Sequence, residues 1–316
     1  MISCTEFIPL YSEFFKFLEE KGGHDEVVKY WHHISDNGLG NKNDPHSLIS
    51  FLEKYGGLEG GIKYWEHTLT EEACDCLKIY DYNKGYYFEN MRHCPSRGML
   101  NELKHVEPYY DYCEHCNVIY QRVLDKYDMV LEVDMSNVDK AQCTSLLYKK
   151  GHKPTDYDKI DDTKVVIDMK ADDNKYLHRD FHVSGDMAIN YCAEKFGEQE
   201  AINFLTTYVK NYYSPVISDI KNRGFIAIKE WIESVYEKEE ASELLHISIN
   251  ENCLTVNIDK SPVIEFMKSI NITPSKYYIE QTRTLYKVIA DECGYEFSLD
   301  YYNEDGKTQF RFIKKA

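Results

Sequence analysis

Positive charge is what this sequence has least of. Its 37 Lys and Arg face 54 Asp and Glu, for a net charge of −17. A nucleic-acid backbone demands clustered cations, so this balance argues against nucleic acid as a partner and against anionic membrane surfaces. Proline is sparse as well, 8 residues in 316 against 27 tyrosines, which argues against a disordered, low-complexity chain. No run approaches the ~18 apolar residues that a membrane span needs. The opening MISCTEFIPLYSEFFKFLEE has no basic start and is interrupted by acids, unlike a secretory signal. The glycine-rich stretches at 38–44 and 56–61 lack phosphate-loop spacing and read as turns. Ten cysteines are too few for a disulfide scaffold at this length, so a cytoplasmic protein with free, buried or ligating thiols is expected.

What the sequence does have is a second copy of itself. Residues 105–149 align without gaps on 271–315, with Pro108, Tyr112, Glu114 and Tyr120 falling on Pro274, Tyr278, Glu280 and Tyr286. Upstream, EKGGHDEVVKYW from Glu20 matches EKFGEQEAINFL from Glu194, and GIKYWE around Trp65 matches AIKEWI around Trp231. Glu71-Glu72-Ala73 aligns on Glu239-Glu240-Ala241, and Cys94-Pro95 on Ser261-Pro262. Such ordered self-similarity indicates a tandem duplication.

The expected organisation is a module at 1–150, an acidic linker with one edge strand at 151–176, and a second module at 177–316. Apolar periodicity predicts helices near 10–21, 24–33, 46–55 and 59–67, and near 179–195, 198–222 and 226–236. Alternating hairpins follow in each copy, CLKIYDY-NKG-YYFENM and LLHISIN-EN-CLTVNID. Short helices then begin at Pro95 and Pro262, longer ones open at Pro108 and Pro274, and closing hairpins complete each copy. The fold class is α+β, with N-terminal helices packed on a small antiparallel sheet in each copy.

Chemistry concentrates in DYCEHCNVIY at 111–120. Cys113 and Cys116 share one helical face, His115 lies between them, and Cys94 and Cys143 fall at the same end of the module. Three readings stand side by side. Cys94, Cys113, Cys116 and Cys143 have the donor types of a zinc site, with His115 a spare ligand. They are also candidates for simple buried thiols. Alternatively Cys116, Cys113 or Cys94, near helix starts, acts as a nucleophile. Sequence neighbours on a helix point apart, so His115 is not the obvious base for Cys116. The second copy carries Ser261, Ile279, Thr282, Gln309 and Gln281 where the first has Cys94, Cys113, Cys116, Cys143 and His115. Loss of all four thiols with the frame retained favours a shared task. His178 and His182, four apart with Asp186 beyond, have metal-pair spacing and are candidates to join the same site. Cys74-Asp75-Cys76, Trp31-His32-His33 and the tyrosine clusters read as packing, the last with the option of lining an apolar pocket.

Through Cys94-Pro95, Cys113-x-His115-Cys116 and Cys143 the chain resembles the bacterial L-2-amino-thiazoline-4-carboxylic acid hydrolase family. A more distant likeness is to the 4-vinyl reductase and TRAPP-type ligand-binding fold. The first resemblance covers about 88–149, and only the frame over 245–315. It implies hydrolytic opening of a small C–N/C–S heterocycle, with Cys116 as nucleophile and His115 as proton carrier. The alternative is a non-catalytic small-molecule or metal sensor holding a zinc-like ion. Either way the expected partner is a small molecule, and the oligomeric state is left open.

Overall fold

The helical periodicity is realised as buried stripes. A computed structural model describes residues 1–315 and divides them into two units, residues 15–178 and residues 1–14 joined with 179 onward. The first unit runs through the latter part of α1 (Phe7–Gly22), then α2 (His24–Ile34), α3 (Leu48–Tyr55) and α4 (Gly57–Glu71). Strands β1 (Asp75–Asp81) and β2 (Tyr86–His93) follow, then α5 (Pro95–Glu102), α6 (Glu114–Leu124), β3 (Met129–Asp134), β4 (Cys143–Lys149) and β5 (Val165–Met169). The second unit has α7 (Asp180–Phe196), α8 (Glu198–Tyr212), α9 (Ser214–Arg223) and α10 (Phe225–Lys238). It continues with β6 (Leu245–Ile249), β7 (Cys253–Ile258), α11 (Pro262–Ser269), α12 (Tyr278–Glu292), β8 (Tyr295–Tyr302) and β9 (Thr308–Lys314).

The two sheets have one topology. In the first unit the order is β3-β4-β2-β1-β5, and in the second β8-β9-β7-β6 when read from the matching end. Every pairing is antiparallel, and each closing hairpin docks on the first through its last strand. Burial repeats as well: α2 buries Val27, Tyr30, Trp31 and Ile34, and α8 buries Ala201, Phe204, Leu205 and Tyr208. Left-handed backbone marks the same joints, at Gly23 and Gly197 before those helices and at Gly56 and Gly224 before α4 and α10. It recurs at Ala73 and Glu240, at Asp128 and Gly294, and at Ala141 and Gly306. Steric cost makes this conformation rare outside glycine, so its repetition at matched joints is a strong sign of common design.

Several expectations shift in detail. The helix expected over 198–222 breaks at Tyr213, because Pro215 sits in the first turn of α9 and starts a new helix. The helices expected at Pro108 and Pro274 begin later, at Glu114 and Tyr278, after a series of tight turns. The paired left-handed residues set Glu72 against Glu239, one step from the sequence alignment. Strand register likewise sets Cys143, opposite Met91, in the place of Thr308, opposite Ile258, rather than Gln309.

The edge strand expected within 151–176 forms at the margin of the first sheet, where β5 pairs with β1. Tyr157 packs against Phe88 on the face away from the helices, with ring centroids 5.1 Å apart and the planes tilted by 49°. That outer face carries Ile79, Tyr86, Phe88, Leu146 and Tyr148. The helix-facing side holds the larger core, including Leu52, Ile62, Trp65, Tyr87, Val123, Leu131 and Leu147. In the second unit Tyr286, Phe310 and Phe312 form the equivalent centre, with Tyr286 and Phe310 stacked at 4.3 Å.

Candidate functional site

Alternation along the strands arranges the helix-facing side of the first sheet in rows. Met169, Cys76, Met91 and Cys143 pair across four strands as one row, and Ile167, Lys78, Glu89 and Ser145 form the next. The sulfur row marks the end of the sheet where α5 and α6 begin. Cys94 is the N-cap of α5, its Sγ accepting from Arg97 N at 3.4 Å, with Pro95 in the first turn. Cys113 is the N-cap of α6, and Cys116 lies in that helix's first turn. Cys143 opens β4. These four cysteines each keep part of their surface open, whereas Cys74 and Cys76 are wholly buried, as their reading as packing residues requires.

Although partly open, all four sulfurs are crowded by protein. Burial pushes the Cys94 thiol up to about 12 and raises those of Cys113 and Cys143. Cys116 is held well above the ordinary thiol range, by burial first and then by Cys113, Cys94, Cys143 and Glu72. The four thiols therefore form one electrostatic group, and each is protonated at neutral pH. Arg97 acts in the opposite sense, its positive charge favouring a thiolate at Cys113. Arg97 also lines an open cleft of about 700 Å³, with Leu100, Lys104, His105, Val106 and Asp139.

His115 is not turned away from Cys116, contrary to expectation. Its Nε2 lies 3.5 Å from Cys116 Sγ, while its Nδ1 bonds the carbonyl oxygen of Tyr112. A carbonyl only accepts, so Nδ1 carries the proton and Nε2 is the acceptor facing the thiol. The ring packs between Tyr112 and Phe15, at centroid distances of 4.9 and 5.9 Å. Burial lowers its pKa to about 4, so the imidazole is neutral. The turn before α6 explains the contact: the ring folds back to a carbonyl three residues earlier, which helical neighbours alone do not predict.

Two further elements escaped sequence reasoning. Glu72, at the C-terminus of α4, accepts from Ser96 Oγ at 3.1 Å and is pushed by burial toward its protonated form. Its charge reaches Cys74, Cys94 and Cys116, which makes it the acid nearest the thiols in effect. Lys78 is fully buried in β1, and its Nζ meets no hydrogen-bond partner among the described residues. Its cross-strand neighbour Glu89 receives a 2.7 Å bond from the Tyr87 hydroxyl and is itself held toward neutrality by burial. A lysine inside an alternating strand gives only a weak signal in sequence, because strand alternation does not say which face is interior.

His178 and His182 do not form a helical metal pair. The helix begins at Asp180, so His178 precedes it. His178 Nδ1 bonds Glu71 at 2.7 Å in the first unit, and His182 Nε2 bonds the buried Glu239 at 2.9 Å in the second. Each imidazole already has a carboxylate.

For a metal, the donor chemistry suits a soft cation, but the geometry does not. Zinc–sulfur bonds of about 2.3 Å hold ligand sulfurs within about 4 Å of one another. Among the described residues, no three of these thiol sulfurs converge within 4.8 Å. At matched positions the second unit has Ser261, whose Oγ caps α11 by accepting from Ile264 N at 3.3 Å, together with Ile279, Gln281 and Thr282. Cys94 thus has a structural duty that serine performs equally, and only Cys113, His115 and Cys116 are without an equivalent role. No family model, curated protein or solved structure matches the chain.

Proposed function

We propose that the first unit is a cysteine-dependent hydrolase of a small C–N/C–S heterocycle or amide, with Cys116 as nucleophile and His115 as its base. The observation that carries this reading is the 3.5 Å approach of His115 Nε2 to Cys116 Sγ with the tautomer set by Tyr112. Burial favours the neutral thiol–imidazole pair at rest, so proton transfer accompanies attack rather than preceding it. Cys116 sulfur adds to the electrophilic carbon and its proton passes to His115. The ring C–S or C–N bond breaks, and the departing atom takes a proton, for which Glu72 is the available acid. Water then attacks the thioester-like or thioimidate carbon, releasing product and restoring the thiol. The resemblance to thiazoline-carboxylate hydrolases supports the substrate class, and Arg97 in the neighbouring cleft suits a carboxylate.

The second reading, a soft-metal site, is favoured only by the mutual coupling of the four thiols. Metal analysis and turnover by the purified protein separate the two. The hydrolase reading expects metal-free protein and turnover of 2-aminothiazoline-4-carboxylate that Cys116→Ser abolishes and Cys113→Ser retains. Near-stoichiometric zinc that falls in Cys116→Ser would overturn it.

A further inference from the structure

Cys113 and Cys116 are also placed for a chemistry that needs no hydrolysable substrate. Residues three apart in a first helical turn have Cα atoms about 5 Å apart, inside the Cα span of a disulfide. Cys116 N donates to Cys113 O at 3.1 Å, which ties the two residues into that turn. The pair is asymmetric. Cys113 occupies the N-cap position without bonding the helix amides, is partly exposed and feels the charge of Arg97. Cys116 is the more deeply set, with the unprotonated His115 Nε2 at 3.5 Å and the thiols of Cys94 and Cys143 in electrostatic range. An outer, partly exposed thiol and an inner thiol with an imidazole acceptor at 3.5 Å are the two components that dithiol exchange requires.

We propose that Cys113-Glu114-His115-Cys116 is a thiol–disulfide exchange site that reduces small external disulfides. Cys113 thiolate attacks one sulfur of the external disulfide, the S–S bond breaks, and the first thiol leaves with a proton from solvent. Cys116 then passes its proton to His115 Nε2 and attacks the Cys113 sulfur. The Cys113–Cys116 bond forms, and the second thiol departs with the proton from His115. The protein dithiol loses two electrons and the external disulfide becomes two thiols. Burial disfavours both thiolates, and poor leaving groups make the new disulfide hard to reopen, which sets the direction toward reduction of the external partner.

Oxidised glutathione and the full chain test this directly, with peptide mapping and thiol release as readouts. Wild type should form Cys113–Cys116 at least tenfold faster than Cys253 or Cys293, the partly exposed thiols of the second unit, acquire glutathione. Cys116→Ser should stop at a glutathione adduct on Cys113, and Cys113→Ser should lose the fast reaction. His115→Ala should slow release of the second thiol by 10- to 100-fold. The proposal is overturned by a disulfide mapping elsewhere, by an adduct forming first on Cys116, or by a wild-type rate equal to that of the control thiols. A chain that hydrolyses nothing can still pass, so failure here and failure of the hydrolase reading are separate results.

Discussion

The two units are one topology with two fillings. Both carry four helices, a hairpin, two helices and a second hairpin docked on the first. At the start of the sixth helix the first unit places Cys113, His115 and Cys116, and the second places Ile279, Gln281 and Thr282. The frame is therefore indifferent to the chemistry it holds. The matched glutamates at the end of α4 and α10 make the same point electrostatically. Burial raises the pKa of Glu72, whereas Glu239 is lowered, because His182 and the Cys4 amide stabilise its charge against a similar burial cost. One position thus has its carboxyl pushed toward the neutral form in one unit and toward the anion in the other.

The largest way to break this contrast is at Cys116, the proposed nucleophile. Cys116→Ala should lower hydrolysis by about 10³-fold or more, as loss of a covalent nucleophile does, while Thr282→Ala should leave it unchanged. Steady-state kinetics on both variants reads the difference. Next in size is Lys78→Met, which replaces a buried amine without a hydrogen-bond partner among the described residues by an apolar side chain of similar length. Stability should rise by about 1–3 kcal/mol in urea titration.

The glutamates give opposite pH responses. With its folded pKa raised, Glu72 contributes stability that is fully present below the ordinary carboxyl range and lost as pH rises through its folded value. With its folded pKa lowered, Glu239 contributes stability present above that range and lost as pH falls through its folded value. Glu72→Gln should therefore stabilise the first unit at pH 7, and Glu239→Gln should destabilise the second. Hydrogen exchange resolved by unit, at pH 7 and pH 4.5, would show the two effects diverging. The smallest effect is at the caps. Cys94→Ser should be nearly neutral in melting temperature, because Ser261 makes that cap in the other unit, while Cys94→Ala and Ser261→Ala should each cost about 1 kcal/mol.

The element order was legible because each helix and strand announces itself locally. Val27, Tyr30, Trp31 and Ile34 carry the helical period, and Pro95 and Pro262 mark helix starts by a steric rule that does not depend on context. The strand register across the two hairpins was not legible, since it is set by packing between distant segments. A one-residue offset there exchanged Gln309 for Thr308 as the counterpart of Cys143. At the site, the thiols themselves stood out by type and spacing. The tautomer of His115, the raised pKa of Glu72 and the burial of Lys78 did not, because each arises from what surrounds the residue and not from the residue itself. Residues 1–14 show the limit most plainly: by sequence they open the first copy, and structurally they belong with the second.

Strand β5 adds a property of the outer surface. It closes the edge of the first sheet beside β1, so β1 presents no free row of amides to another chain. The second sheet ends instead on the short β6, where Ile249 is 39 % exposed and His246 and Ser248 face outward. An unpaired strand edge is a template for β-augmentation, and a short, polar strand is a weak one. Loss of 151–176 would thus turn the β1 edge into a new pairing template and remove Met169 from the sulfur row it shares with Cys76, Met91 and Cys143.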